Sequence, residues 1–213
     1  MRFSIKILVT FLLASLVTGP LVTSVSGASP LQQQGLDWHA QSGKSGAVDE
    51  KAVATLVRSS WGISFQITAT NLKPGNAYTL WLAVLNNPAA CAARPCAPAD
   101  AFANPATNTQ VTQVGGGVAS SNGTLGFGGV VPKGPLTDGW LAGRGLDDQL
   151  GAEIHFVINN HGPVIPGREN AMVSTYRDGC TDASLPAIFP ATAKADGLPG
   201  PNTCQLYEIV IFQ

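Results

Sequence analysis

Ile63, Phe65, Ile67 and Ala69 alternate with Ser64, Gln66, Thr68 and Thr70. A period of two predicts a strand with one buried face. Just before it, Lys51–Arg58 is short and β-branched, and predicts another strand. Asn71-Leu-Lys-Pro-Gly75 is turn chemistry, with Pro74 presetting φ and Gly75 free to take a positive one. Tyr78–Leu85 is apolar on both faces, which predicts a central strand. The two strands and the turn between them read as a hairpin. Thr109–Ala119 and Thr124–Val131 flank Asn122-Gly123 and read as a second hairpin. Asn122-Gly-Thr124 also satisfies a glycosylation sequon, but a tight turn is the simpler reading. Gly115–Gly117, Gly126, Gly128 and Gly129 interrupt these strands, implying bulges or a face where another layer comes close.

In Gly151–Ile158 the pattern splits cleanly. Ala152, Ile154, Phe156 and Ile158 face the core, while Glu153, His155 and Val157 face the other way. Asn159–Pro163 reads as a turn, and Leu206–Phe212 as a last strand. Asn86–Ala106, Pro132–Gly145 and Ile165–Pro201 are rich in Pro or Gly and read as long connections. No helical stripe persists. The expected fold is all-β, an antiparallel β-sandwich of about seven strands with long Gly/Pro-rich loops. Residues 47–213 are expected to form a single β-sandwich domain, preceded by a flexible N-terminal arm over 29–46 in which Trp38 is the one large anchor.

Residues 1–28 read differently. Arg2 and Lys6 precede an apolar run from Ile7 to Val17, and Ser26-Gly27-Ala28 places small residues before Ser29. That order is a secretory signal peptide. Eleven residues of helix would rise only about 16 Å, short of a ~30 Å bilayer core. No Cys follows the apolar run to suggest a lipid anchor. The chain after cleavage is expected to be secreted or extracytoplasmic, without a stable membrane span. Charged residues make up 12% of the chain, about half the usual share. Without Arg2 and Lys6 the net charge is −3. Neither figure supports a nucleic-acid partner, which needs a basic patch.

Cys91, Cys96, Cys180 and Cys204 all follow the leader, and an even count in an exported chain reads as disulfides. Of three pairings, a local 91–96 bridge is the easiest, leaving 180–204. A zinc site would want two short Cys spacings, and only one pair has that. Candidate metal chemistry lies instead with Glu153 and His155, two positions apart on one strand face, and His161, if the turn folds it back. These three could share a divalent metal. No nucleophile elbow, Walker-type loop or dinucleotide fingerprint occurs, so no catalytic residue is assigned. Asp147 and Asp148, adjacent acids, read as turn residues. Trp140 in a Gly-rich loop and Trp61 are candidates for stacking on a sugar, with Trp81 expected in the core and Trp38 in the arm.

Two phrases carry a resemblance. Asn71-Leu-Lys-Pro-Gly-Asn-Ala-Tyr-Thr-Leu-Trp81 with Asn86-Asn-Pro-Ala-Ala-Cys91 is one, and Ala152-Glu-Ile-His-Phe-Val-Ile-Asn-Asn-His-Gly-Pro163 is the other. Together they resemble a group of uncharacterised exported bacterial β-sandwich-like proteins, over roughly 52–180. The second phrase also resembles the His-rich strand of secreted chordin-type domains, without their His-x-His pair. The resemblance implies a fold and an address but no activity. The expected function is therefore a secreted, non-enzymatic β-sandwich, an extracellular binding or structural module for an unknown ligand. The alternatives are a metal-binding protein or metalloenzyme using Glu153, His155 and His161, and a carbohydrate-binding module.

Overall fold

The computed structural model describes residues 30–136 and 138–213; the expected signal peptide lies outside them. Two antiparallel sheets face each other. One contains β1 (Leu31–Gly35), β3 (Val53–Ser59), β4 (Gly62–Ala69) and β7 (Leu125–Pro132), in the order β1-β3-β4-β7. The other contains β2 (Asp37–Trp38), β5 (Asn76–Leu85), β6 (Thr109–Val118), β10 (Glu153–Pro163) and β11 (Gln205–Phe212), in the order β2-β11-β10-β5-β6. Two short strands, β8 (Gly134–Pro135) and β9 (Gly145–Leu146), pair only with each other. The seven strands of seven residues or more are the seven that the alternation and the apolar runs predict, and the all-β sandwich expectation holds.

The inner faces interlock as the period-two pattern requires. Ile63, Phe65 and Ile67 of β4 meet Leu80, Leu82 and Val84 of β5, with Ile154, Phe156 and Ile158 of β10. The ring of Phe65 lies 4.7 Å from that of Phe156, which sits edge-on to Phe212 at 6.3 Å. Arg58, on β3, closes one end. Its Nη1 donates to the carbonyls of Gln149 and Ala152, and its Nε donates to Gln32 Oε1.

Both expected hairpins are corrected. β4 and β5 belong to different sheets, as do β6 and β7. The 71–75 and 119–124 segments are crossovers at one end of the sandwich, not hairpin loops. They bond to each other: Leu72 N donates to Gly123 O at 3.0 Å, and Gly75 N to Ala119 O at 3.0 Å. Asn71 (φ 54°), Gly75 (φ 75°) and Gly123 (φ 72°) take the left-handed conformations the turn residues predict. Turn chemistry specifies that the chain reverses; it does not specify which strand lies alongside.

Two more expectations change. The segment read as a flexible arm supplies β1 on one sheet and β2 on the other, with buried Leu36 between them and Trp38 edge-on to Tyr207 at 5.3 Å. Asn159–Pro163 is not a turn but the end of β10, which runs on with a register shift between Asn160 and Gly162.

The two outer faces differ. That of the four-stranded sheet is open, with Val57 and Val130 exposed. That of the five-stranded sheet is roofed by the long connections, so β5 and β10 are buried on both sides. The roof explains a glycine: a Cβ at Gly116 would stand 1.8 Å from the carbonyl oxygen of Val173, which crosses directly above.

Candidate functional site

Beneath that roof is an apolar cavity of about 230 Å³. Its floor is the outer face of the central strands: Trp81 and Ala83 of β5, His155 and Val157 of β10, Ile209 and Ile211 of β11. The period of two puts them there, one residue out of phase with the core set. Its roof brings Phe102 from the short helix α1 (Pro98–Ala103), with Trp140, Tyr176 and Phe189 from the long loops. The rings form a continuous cluster. Trp140 lies 4.6 Å from Trp81, 4.9 Å from Tyr176 and 5.2 Å from Phe189, and Phe102 lies 4.9 Å from Phe189. Such pairs add about 0.5–1.5 kcal/mol each beyond burial.

The roof is pinned. Cys91–Cys96 and Cys180–Cys204 are both bridged, with Cα separations of 5.5 and 5.3 Å, as the cysteine spacing led us to expect. Asp100 fixes α1 against the first bridge: its carboxylate accepts from Ala97 N at 2.9 Å and Ala92 N at 3.0 Å.

One wall is polar. Glu153, fully buried, accepts from Cys96 N at 2.6 Å and His155 Nε2 at 2.7 Å on one oxygen, and from Arg94 Nε at 2.7 Å on the other. Burial pushes its carboxyl up, but the hydrogen bonds from His155 and Cys96 N and the nearby charges outweigh it and hold the group below the usual glutamate value. Glu153 is therefore a carboxylate at neutral pH. Its Oε1 takes the Nε2 proton of His155, whose Nδ1 has no hydrogen-bond partner among the described residues.

His161 belongs elsewhere. It lies six residues along the same strand, about 20 Å away at strand rise. Trp81 Nε1 donates to Thr79 Oγ1 at 2.8 Å, and the Thr79 hydroxyl donates to His161 Nε2 at 2.9 Å. Nδ1–H then donates to the carbonyl of Asp178 at 2.9 Å. Burial lowers the pKa of this ring below the usual histidine value, and it is neutral. It orients Trp81 from behind. The structure thus brings Glu153 and His155 together and leaves His161 out, so the three-residue metal site expected from the sequence does not assemble. His161 does lie with Cys180 and Cys204, their ligating atoms all within 4.8 Å of one another. Both sulfurs are spent in the disulfide and offer no thiolate.

The stacking tryptophans are also separated. Trp140 is a buried member of the ring cluster, not an exposed platform. Trp61 is exposed at the β3–β4 turn, on the other sheet. Asp147 accepts from Asn108 Nδ2 and Asp148 from Gly151 N, as turn residues do. Sequence reasoning missed Phe102, Tyr176 and Phe189, single aromatics in Pro-rich segments with no periodicity to mark them. It also missed His39, which borders the cavity near Leu206.

No protein-family model matches the chain, and no curated protein or solved structure matches it either. Function is therefore read from the site itself.

Proposed function

We propose that the protein is exported and acts outside the cytoplasm as a binding module, with the roofed cavity on the five-stranded sheet as its site. The observation that carries this reading is a pinned, ring-lined apolar space with the oriented imidazole of His155 in its floor. Ligand sites are typically of this kind, apolar walls with few placed polar groups. A dry cavity of about 150 Å³ lined by aliphatic and aromatic side chains holds benzene. At about 230 Å³ this one has room for a ring with a few further heavy atoms.

Export is supported by the order of positive, apolar and small residues in 1–28 and by the two disulfides. Among the described residues no helix is long and apolar enough to cross a membrane. Native mass spectrometry of the secreted protein tests both points. The expected result is a polypeptide starting near Ser29 that takes up one small aromatic guest per chain. Retention of Met1 refutes export, and failure of every small apolar probe to bind refutes the site.

A further inference from the structure

Three properties of the cavity narrow its guest. The first is charge. None of the residues lining it is Lys, Arg, Asp or Glu. No charged side chain is there to pair an ionised guest, which favours a neutral one. The second is shape. The floor and roof present Trp81, Trp140, Phe102 and Phe189 as ring faces and edges, and the space between admits about one ring with short substituents. The third is a placed acceptor. His155 sits in the floor with its Nε2 proton directed to the Glu153 carboxylate, so in the neutral ring Nδ1 is a bare acceptor. Glu153 itself is held by Cys96 N and Arg94, so the imidazole cannot easily turn to offer a donor instead. A guest that satisfies Nδ1 must bring an O–H or N–H. His39, the other histidine at the cavity, lies near the far end of β11 and uses its own Nδ1 to accept from Gln41 N.

We propose that the guest is a neutral phenol-type ring whose hydroxyl donates to His155 Nδ1 while the ring lies among the roof aromatics. This inference rests on the cavity being the binding site. An aromatic hydroxyl is a stronger donor than an alcohol and is carried on the flat apolar body the walls accept. Discrimination should be marked, because a guest lacking the hydroxyl leaves Nδ1 desolvated and unpaired.

The test compares 4-ethylphenol with ethylbenzene, its hydroxyl-free match, by calorimetric titration of the full mature chain at pH 7.5. The expected result is a preference of tenfold or more for 4-ethylphenol, falling to near unity in His155→Leu. A preference below tenfold in the unmodified protein, with both probes bound, overturns the phenol and leaves the cavity reading standing. Binding of neither probe removes both. A preference that persists in His155→Leu also overturns the assignment. Should that variant fail to fold, nitrogen NMR of the unmodified protein replaces it. The His155 Nδ1 resonance should move on adding 4-ethylphenol and not ethylbenzene, and an unmoved resonance refutes the proposal.

Discussion

Glu208 provides the sharpest test of the electrostatics of this fold. It lies on the inward side of β11, in line with Val210 and Phe212, opposite Ile158 of β10 and Trp38 of β2. It is fully buried, and neither carboxyl oxygen has a hydrogen-bond partner among the described residues. Burial, reinforced by the Asp49 carboxylate and only partly offset by Lys44, pushes its pKa from 4.5 to about 8. Tyr78 and Tyr207, the phenols that couple to it, stay neutral across this range. The sign follows from proton counting. Between pH 4.5 and 8 the native state holds a proton that the unfolded chain has lost, so stability falls as pH rises. It is fully present below 4.5 and lost by about 8. At about 1.4 kcal/mol per pH unit the ceiling is about 5 kcal/mol. Glu208→Gln keeps the shape and removes the titration. Urea unfolding of both proteins, disulfides intact, at pH 4 to 9 and constant ionic strength, gives the difference profile directly. Contributions from groups common to both, such as His161, cancel. The variant should match the parent near pH 4 and exceed it by about 2–5 kcal/mol at pH 8 to 9. A difference that stays flat, or one that favours the parent at high pH, refutes the reasoning.

Three further outcomes follow from the packing. Val157→Phe projects into the cavity, and should abolish uptake of an aromatic probe while changing stability by less than about 1 kcal/mol in a thermal melt, because the space is already open. Replacing Cys180 and Cys204 with Ser should cost about 3–4 kcal/mol and the same change at Cys91 and Cys96 about 2, since the loops closed differ in length; denaturant titration showing the reverse order would contradict the chain-entropy argument. Gly116→Ala sets a methyl group against the Val173 carbonyl and should destabilise by about 3 kcal/mol, whereas Gly126→Ala meets nothing within 4 Å and should stay within about 0.5 kcal/mol, both read by urea midpoint.

Local pattern carried the strands and not their neighbours. The alternation in 63–69 marks one buried face because β4 has one side to solvent, and the structure buries Ile63, Phe65, Ile67 and Ala69 as read. The unbroken apolar run of 78–85 marks two buried faces, and β5 has them. Yet nothing within either segment says that the 71–75 turn carries the chain to the opposite sheet. That is settled by pairings between residues far apart, such as Ile67 with Phe127 and Val157 with Trp81. His161 was misplaced for a related reason. Asn-Asn-His-Gly-Pro has turn composition, but its backbone groups are taken up by β5 and by Asn202, whose side chain donates to the carbonyls of His161 and Pro163. Tertiary partners overrode local propensity. Glu208 was legible in principle, as one acid inside the apolar run 206–212.

The site was half visible for a physical reason that β10 makes plain. Its inward residues, Ile154, Phe156 and Ile158, meet other regular strands, so both partners in each contact announce themselves by period. Its outward residues, Glu153, His155 and Val157, meet loops. Their partners arrive singly, as Arg94 and the Cys96 amide on the carboxylate and Phe189 and Tyr176 around Val157, each fixed by a bridge, a cap or a turn rather than by a repeating pattern. A sandwich needs its outer face covered only where apolar residues would otherwise meet water. Here the covering loops do more than that, because they stand off the floor and leave a space beside an oriented imidazole. The same strand therefore specifies the fold on one side and offers chemistry on the other. Substitutions should divide accordingly: those at Ile154, Phe156 and Ile158 reduce stability, and those at His155 and Val157 change what the cavity accepts.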